Sequence, residues 1–153
     1  MWEPPEFTKR RHIMEANAMS GIPMVVRGKC STFGPALDGK PDSGMTPKEG
    51  LGLYEDAEAD HRPDLFLPAI PGKGTSQRLR PTANFIAMRY PKGVNRRELQ
   101  CAVWRVEANG KSVLASLVDW GPAEWTGRAL DLSSAIMSEL GIKTDDVVSA
   151  TRV

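Results

Sequence analysis

Short apolar runs broken by turn residues, rather than long periodic stripes, pattern this chain. The segment IPMVVRGKCSTFG (22–34) is rich in β-branched and apolar residues and closes at Gly34-Pro35, which predicts a first core strand. ANFIAMRY (83–90), ELQCAVWRVE (98–107) and KSVLASLV (111–118) predict three more, and the Asn109-Gly110 pair between the last two is a strong hairpin signal. LSSAIMSELG (132–141) sets Leu132, Ile136, Met137 and Leu140 on one side of a short helix stopped by Gly141, and DVVSATRV (146–153) predicts a closing strand. LGLY (51–54) and LFLPAI (65–70) read as brief strands separated by surface excursions, and PALDGKPDSGMTPKEG (35–50) is loop chemistry throughout. Several short strands with one hairpin and one late helix predict a mainly β chain folded as a small closed barrel, which removes exposed edges.

Composition narrows the setting. With 153 residues, 41% hydrophobic and 25% charged, the chain suits a single domain with a respectable core. Its 20 basic and 19 acidic residues nearly cancel, so no global charge draws it to nucleic acid or to an anionic membrane. Residues 1–21 read as an N-terminal arm ahead of a domain spanning 22–153. In the arm, Ile13, Met14 and Met19 form too thin an apolar stripe to be buried alone, which suggests docking on a protein assembly. Its basic cluster, Lys9, Arg10 and Arg11, lacks interleaved aromatics and reads as a solvated face. No apolar run approaches a membrane span, and the scattered charge of the N-terminus is unlike a secretory signal, so synthesis in a cytosol is expected. Cys30 and Cys101, far apart in apolar strand-like settings, read as inert core thiols. With His12 and His61 they lack the close ligand pairs of a zinc motif, so no metal or other cofactor is expected.

The C-terminal segment VDWGPAEWTGRALDLSSAIMSELGI (118–142) carries the candidate chemistry. It resembles the double-psi β-barrel of the rare-lipoprotein-A-like family, whose relatives include expansins and small barrel endoglucanases. The resemblance runs in order through a strand ending in Asp119, then Gly121-Pro122, Gly127-Arg128, Asp131-Leu132-Ser133 and a helix ending in Leu140-Gly141. GKCSTFG resembles the family's first barrel strand, which implies that Ser31, Thr32 and Phe33 pass the cleft. Together these segments cover about half of the chain. The resemblance implies a six-stranded double-psi β-barrel with one or two short helices, acting on polysaccharide. It implies that Asp119 matches an essential cleft residue of the peptidoglycan-cutting members, and Asp131 the key acid of expansins and barrel endoglucanases. Trp120 stands where peptidoglycan cutters usually carry arginine, and their upstream histidine has no evident match; His61 substitutes only if its loop folds back over the cleft.

Chemistry supports the same pair independently. Glycosidic cleavage needs a carboxyl that delivers a proton to the leaving oxygen. Inverting hydrolysis needs a second carboxylate about 6.5–9.5 Å away, whereas a lytic transglycosylase works with one acid/base because the sugar's own hydroxyl attacks. Asp119 ending a strand and Asp131 opening a helix are placed to face one groove from two sides. Trp120 and Trp125 would flank them as stacking platforms, joined by Arg128 and extended by Tyr54 and Phe33. Asp38 and Asp42 are spare carboxylates. Plainer roles compete: Asp119 as an Asx turn, Asp131 or Ser133 as the helix cap, Arg128 as ion partner of either aspartate, and Trp104 as barrel wall.

Two functions follow. One is an enzyme cleaving peptidoglycan, of lytic transglycosylase or glycosidase type, with Asp119 as acid/base, Asp131 as partner and cell-wall polysaccharide as substrate; a chain without a secretory signal suits a phage-borne or delivered wall enzyme. The other is a non-catalytic glycan-binding or structural barrel in a larger assembly such as a phage tail tip, docked through residues 1–21.

Overall fold

A computed structural model describes residues 22–38, 52–68 and 78–153. The expected arm at 1–21, and Asp42, lie outside the described residues. Six strands close into a barrel: β1 (Val25–Thr32), β4 (Phe85–Met88), β5 (Val103–Ala108), β6 (Lys111–Asp119), β7 (Arg128–Leu132) and β8 (Val147–Arg152), in the order β1-β7-β4-β6-β5-β8. β2 (Phe66–Leu67) and β3 (Arg78–Leu79) form a separate small ribbon. Three short helices accompany them among the described residues: α1 (Asp56–Ala59), α2 (Arg96–Cys101) and α3 (Ser134–Leu140).

The pairing pattern has internal symmetry. β1 runs parallel to β7 and β4 parallel to β6, while β1–β8, β4–β7, β5–β6 and β5–β8 are antiparallel. Exchanging β1, β4 and β5 for β6, β7 and β8 leaves every pair and its direction unchanged. The barrel is thus two interlocked three-stranded halves, the double-psi arrangement. Parallel neighbours cannot be joined by a tight turn, so the connections between them must cross the barrel ends. Those crossings deliver the candidate site.

Inside, Trp104, Phe85, Ile86, Met88, Leu117 and Leu130 are fully buried, each large aliphatic or aromatic group contributing about 1.5–3 kcal/mol of transfer free energy. Trp104 is core, as its place in AVWRV predicts. β1 approaches β7 so closely that a Cβ on Gly28 would lie 2.8 Å from Ala129 Cβ, which explains a glycine in mid-strand. The hairpin signal holds: Ala108 pairs with Lys111, and Asn109 and Gly110 take φ of 54° and 72°, the left-handed pair of a two-residue turn.

Several expectations change. ELQC is not the start of a strand but the end of α2, because Asn95 accepts from the backbone N–H groups of Arg97 and Glu98 and so nucleates a helix that stops before β5. Cys101 is accordingly exposed at the helix end and not in the core, whereas Cys30 is fully buried. Gly52 and Leu53 of LGLY form a turn, and among the described residues of LFLPAI only Phe66 and Leu67 are strand. RALDL, where Asp131 is expected to open the helix, is barrel strand β7. No helix among the described residues is long and apolar enough to cross a membrane.

Candidate functional site

One row of paired residues brings the site together. Ser31 on β1 pairs with Asp131 on β7, Asp131 with Ala87 on β4, and Ala87 with Asp119 on β6. A register shift between Ile86 and Ala87 allows the last pairing. Side chains that face one another across adjacent strands share a face of the sheet. Asp119 and Asp131 therefore stand on either side of Ala87, with their Cα atoms about 9–10 Å apart, two strand spacings. Ala87 is 1% exposed and contributes only a methyl group, a low floor between two half-buried carboxylates. Ser31 extends the row beyond Asp131, and the adjacent Thr32 is exposed.

Asp131 is thus a strand residue, not the opening of a helix. Ser133 caps α3 instead: its Oγ accepts from Ile136 N–H at 3.4 Å and from Phe85 N–H at 3.3 Å. The cap role leaves Asp131 because the chain stays extended through Leu132 before it turns.

The turn after β6 completes the site. Asp119 Oδ1 accepts from its neighbour Trp120 N–H at 2.8 Å and from Gly52 N–H at 3.1 Å. Asp119 thus accepts backbone N–H groups as the plain role predicts, but not as an Asx turn, since Gly121 N–H, two residues on, donates to Met88 O instead; the bond from Gly52 ties the 52–54 segment to the end of β6. A Cβ on Gly52 would clash with Asp119 Oδ1, so a larger residue there must displace that carboxylate. A cis Gly121-Pro122 peptide follows, and a Cβ on Gly121 would lie 3.7 Å from Asp131 Oδ2. The turn that starts at Asp119 thus passes beside the Asp131 carboxylate.

Trp120 is 48% exposed, with its indole N–H donating to Tyr90 O at 3.2 Å, and Trp125, on the 3-10 turn Glu124–Thr126, is 89% exposed. Both are surface indoles, and Trp120 adjoins the row directly after Asp119. Phe33 and Tyr54 are not part of that surface. Phe33 is turned inward edge-to-face on Phe85 at 5.1 Å, and Tyr54 packs on Phe66 while its hydroxyl accepts from Arg62. Their rings are worth more in the core than at the cleft. Arg128 pairs with Asp145 at 2.9 Å, and the charge of Asp131 acts on it more weakly. That bond holds the Asp145 carboxyl below the usual carboxylate range and raises the guanidinium. His61 is exposed after α1, and no contact among the described residues brings it to either aspartate. Asp38 is exposed on the loop after β1.

Sequence reasoning missed Tyr90, Arg89, Ala87 and Gly52. Tyr90 is half-buried beyond the end of β4; burial, then the charge of Asp119, push its phenol above the ordinary value. Arg89 Nη1 donates to Pro122 O at 2.7 Å and Arg128 O at 2.8 Å. No local signal marks these residues, since their roles come from pairing across the barrel. A concavity of about 220 Å³ lies away from this row on the barrel wall, between Asp64, Asn84, Val103, Leu114 and Ser116. No group of three or more His, Cys, Asp or Glu among the described residues is arranged to hold a metal ion.

No family model matches the sequence, and no curated protein matches it. Among solved structures, the chain is similar to the Streptomyces papain inhibitor, with a TM-score of 0.48 and 12% identity over 84% of this chain and 94% of that one. It is also similar to cerato-platanin 3 from M. perniciosa, with a TM-score of 0.42 and 16% identity over 84% of this chain and 93% of that one.

Proposed function

We propose that the trough between Asp119 and Asp131 binds a cell-wall glycan and cleaves it, by lytic transglycosylase or glycosidase chemistry. The observation that carries the reading is the register row: two carboxylates flank a methyl floor, with Trp120 at one end and Ser31 at the other. A pyranose ring stacks its apolar face on an indole while its hydroxyls reach carboxylates and serine. In this reading Asp119 is the acid/base and Asp131 orients the reacting sugar. If the sugar's own hydroxyl attacks, one acid/base is enough; if water attacks, Asp131 activates it across the trough.

A second reading is favoured by one specific observation. Asp119 Oδ1 already accepts two backbone N–H groups, a role that requires no chemistry. In that reading the barrel holds glycan without cutting it.

Digestion of purified peptidoglycan sacculi separates the two. The enzyme reading expects soluble fragments from the wild type and none from Asp119→Asn. Fragments lighter by one water than hydrolysis products identify the transglycosylase route. Intact sacculi that nevertheless retain the protein on sedimentation reject cleavage and support the binding barrel.

A further inference from the structure

Three consecutive residues beyond the centre of β4 grip the turn that displays both indoles. Met88 O accepts from Gly121 N–H at 3.3 Å, and Tyr90 O from the Trp120 indole N–H at 3.2 Å. Between them Arg89 Nη1 spends its two protons on Pro122 O and Arg128 O, at 2.7 and 2.8 Å. Those carbonyls bracket the segment that carries Trp125 on its 3-10 turn. Within the bracket Thr126 and Gly127 donate backbone N–H groups to Ala123 and Glu124, and Thr126 Oγ1 donates to Ala123 O. Arg89 is itself half-buried against this segment, while Trp125 is 89% exposed. An indole so exposed has little packing of its own to fix it, so its place relative to Trp120 depends on the ends of the segment being held.

We infer that Arg89 is a positioning residue that sets Trp125 as a second stacking subsite beside Trp120, so that the site takes an extended oligosaccharide spanning both indoles rather than a single sugar. This rests on the glycan reading above and adds the class of ligand to it. Flat, preorganised aromatic surfaces add affinity because little freedom is lost when a ligand arrives. A loosened segment gives up that advantage for the outer subsite only.

The experiment compares wild type, Arg89→Met and Arg89→Lys. The binding probes are a disaccharide and a hexasaccharide of β-1,4-linked N-acetylglucosamine, and amide hydrogen exchange is followed in parallel. Wild type should bind the hexasaccharide more tightly than the disaccharide. Arg89→Met should lose about tenfold on the hexasaccharide, about 1.4 kcal/mol, and little on the disaccharide. Protection should fall at Thr126 and Gly127 and stay unchanged in β5 and β8. Arg89→Lys, which keeps a donor, should recover part of the hexasaccharide affinity. Equal losses on both probes, or a loosened segment with full hexasaccharide affinity, overturn the subsite. Unchanged protection at Thr126 and Gly127 in Arg89→Met overturns the clamp and leaves the glycan reading standing. A wild type that binds neither probe overturns the glycan reading and the subsite with it, whatever the exchange shows.

Discussion

Replacing Asp119 separates its structural work from its chemical work. Oδ1 accepts two backbone N–H groups, from Gly52 at 3.1 Å and Trp120 at 2.8 Å. Asparagine keeps an oxygen at that position and alanine does not. A net intramolecular hydrogen bond contributes about 0.5–1.5 kcal/mol, more when the acceptor is charged. Both bonds here are solvent-accessible, which puts each toward the middle of that range. Asp119→Ala should therefore cost about 2 kcal/mol and Asp119→Asn less than about 1 kcal/mol. For a domain of this size about 2 kcal/mol lowers Tm by about 4–8 °C. The assay is urea unfolding followed by far-UV circular dichroism, with midpoint and slope fitted separately so that a change in stability is not confused with a change in surface exposed. Turnover on sacculi is measured on the same samples. Asparagine should leave the fold near wild type and abolish cleavage, since it cannot carry the proton. An alanine variant as stable as the asparagine variant would refute the claim that this carboxylate anchors the 52–54 segment and the turn.

Three further outcomes are expected. Ser133→Ala removes the Oγ that serves both Ile136 N–H and Phe85 N–H in a fully buried setting, and should destabilise by about 1–2 kcal/mol in the same urea assay. A thiol-specific reagent at pH 8 should label exposed Cys101 rapidly and buried Cys30 only as the chain unfolds, since desolvation first and the charge of Asp146 second push the Cys30 thiol up to about 11; two fast thiols would contradict the burial. Asp64 and Asp145 are held below the usual carboxylate range by Arg62 and Arg128, so their contribution is present above the unfolded-state value and is lost as pH falls through their lowered folded values; stability should begin to drop below about pH 4, and Asp145→Asn should shrink that drop.

Much of the barrel was legible because its signals are local. β1, β6 and β8 alternate or run apolar between turn residues, the Asn109-Gly110 pair dictates its hairpin, and Gly141, with φ of 65°, ends α3 as a glycine stop should. β7 was hidden because its five residues lie between a turn and a cap, whose signals dominate so short a segment. α2 was read as strand because the apolar run that follows Cys101 was extended backward over a helix whose only marker is Asn95. The site is less legible than the fold. Asp119 and Asp131 stand out through resemblance and chemistry, but the row that joins them depends on β4 pairing parallel to β6 and antiparallel to β7, strands far from it in sequence. Ala87 as floor, Gly52 as the close-approaching donor and Arg89 as the clamp follow from that pairing and from nothing local. Phe33 and Tyr54 show the converse: aromatic side chains beside the site by sequence, but claimed by the core through Phe85 and Phe66.

The central claim is that one row across β1, β7, β4 and β6 forms the ligand site. Amide chemical-shift mapping of the isotope-labelled chain, titrated with soluble glycan-strand fragments, tests it most directly. The account predicts saturable shifts at Ser31, Ala87, Asp119, Trp120 and Asp131, with little change on β5 and β8. Shifts gathered instead around the concavity at Asp64, Asn84, Leu114 and Ser116, or no saturable shifts at all, would contradict it.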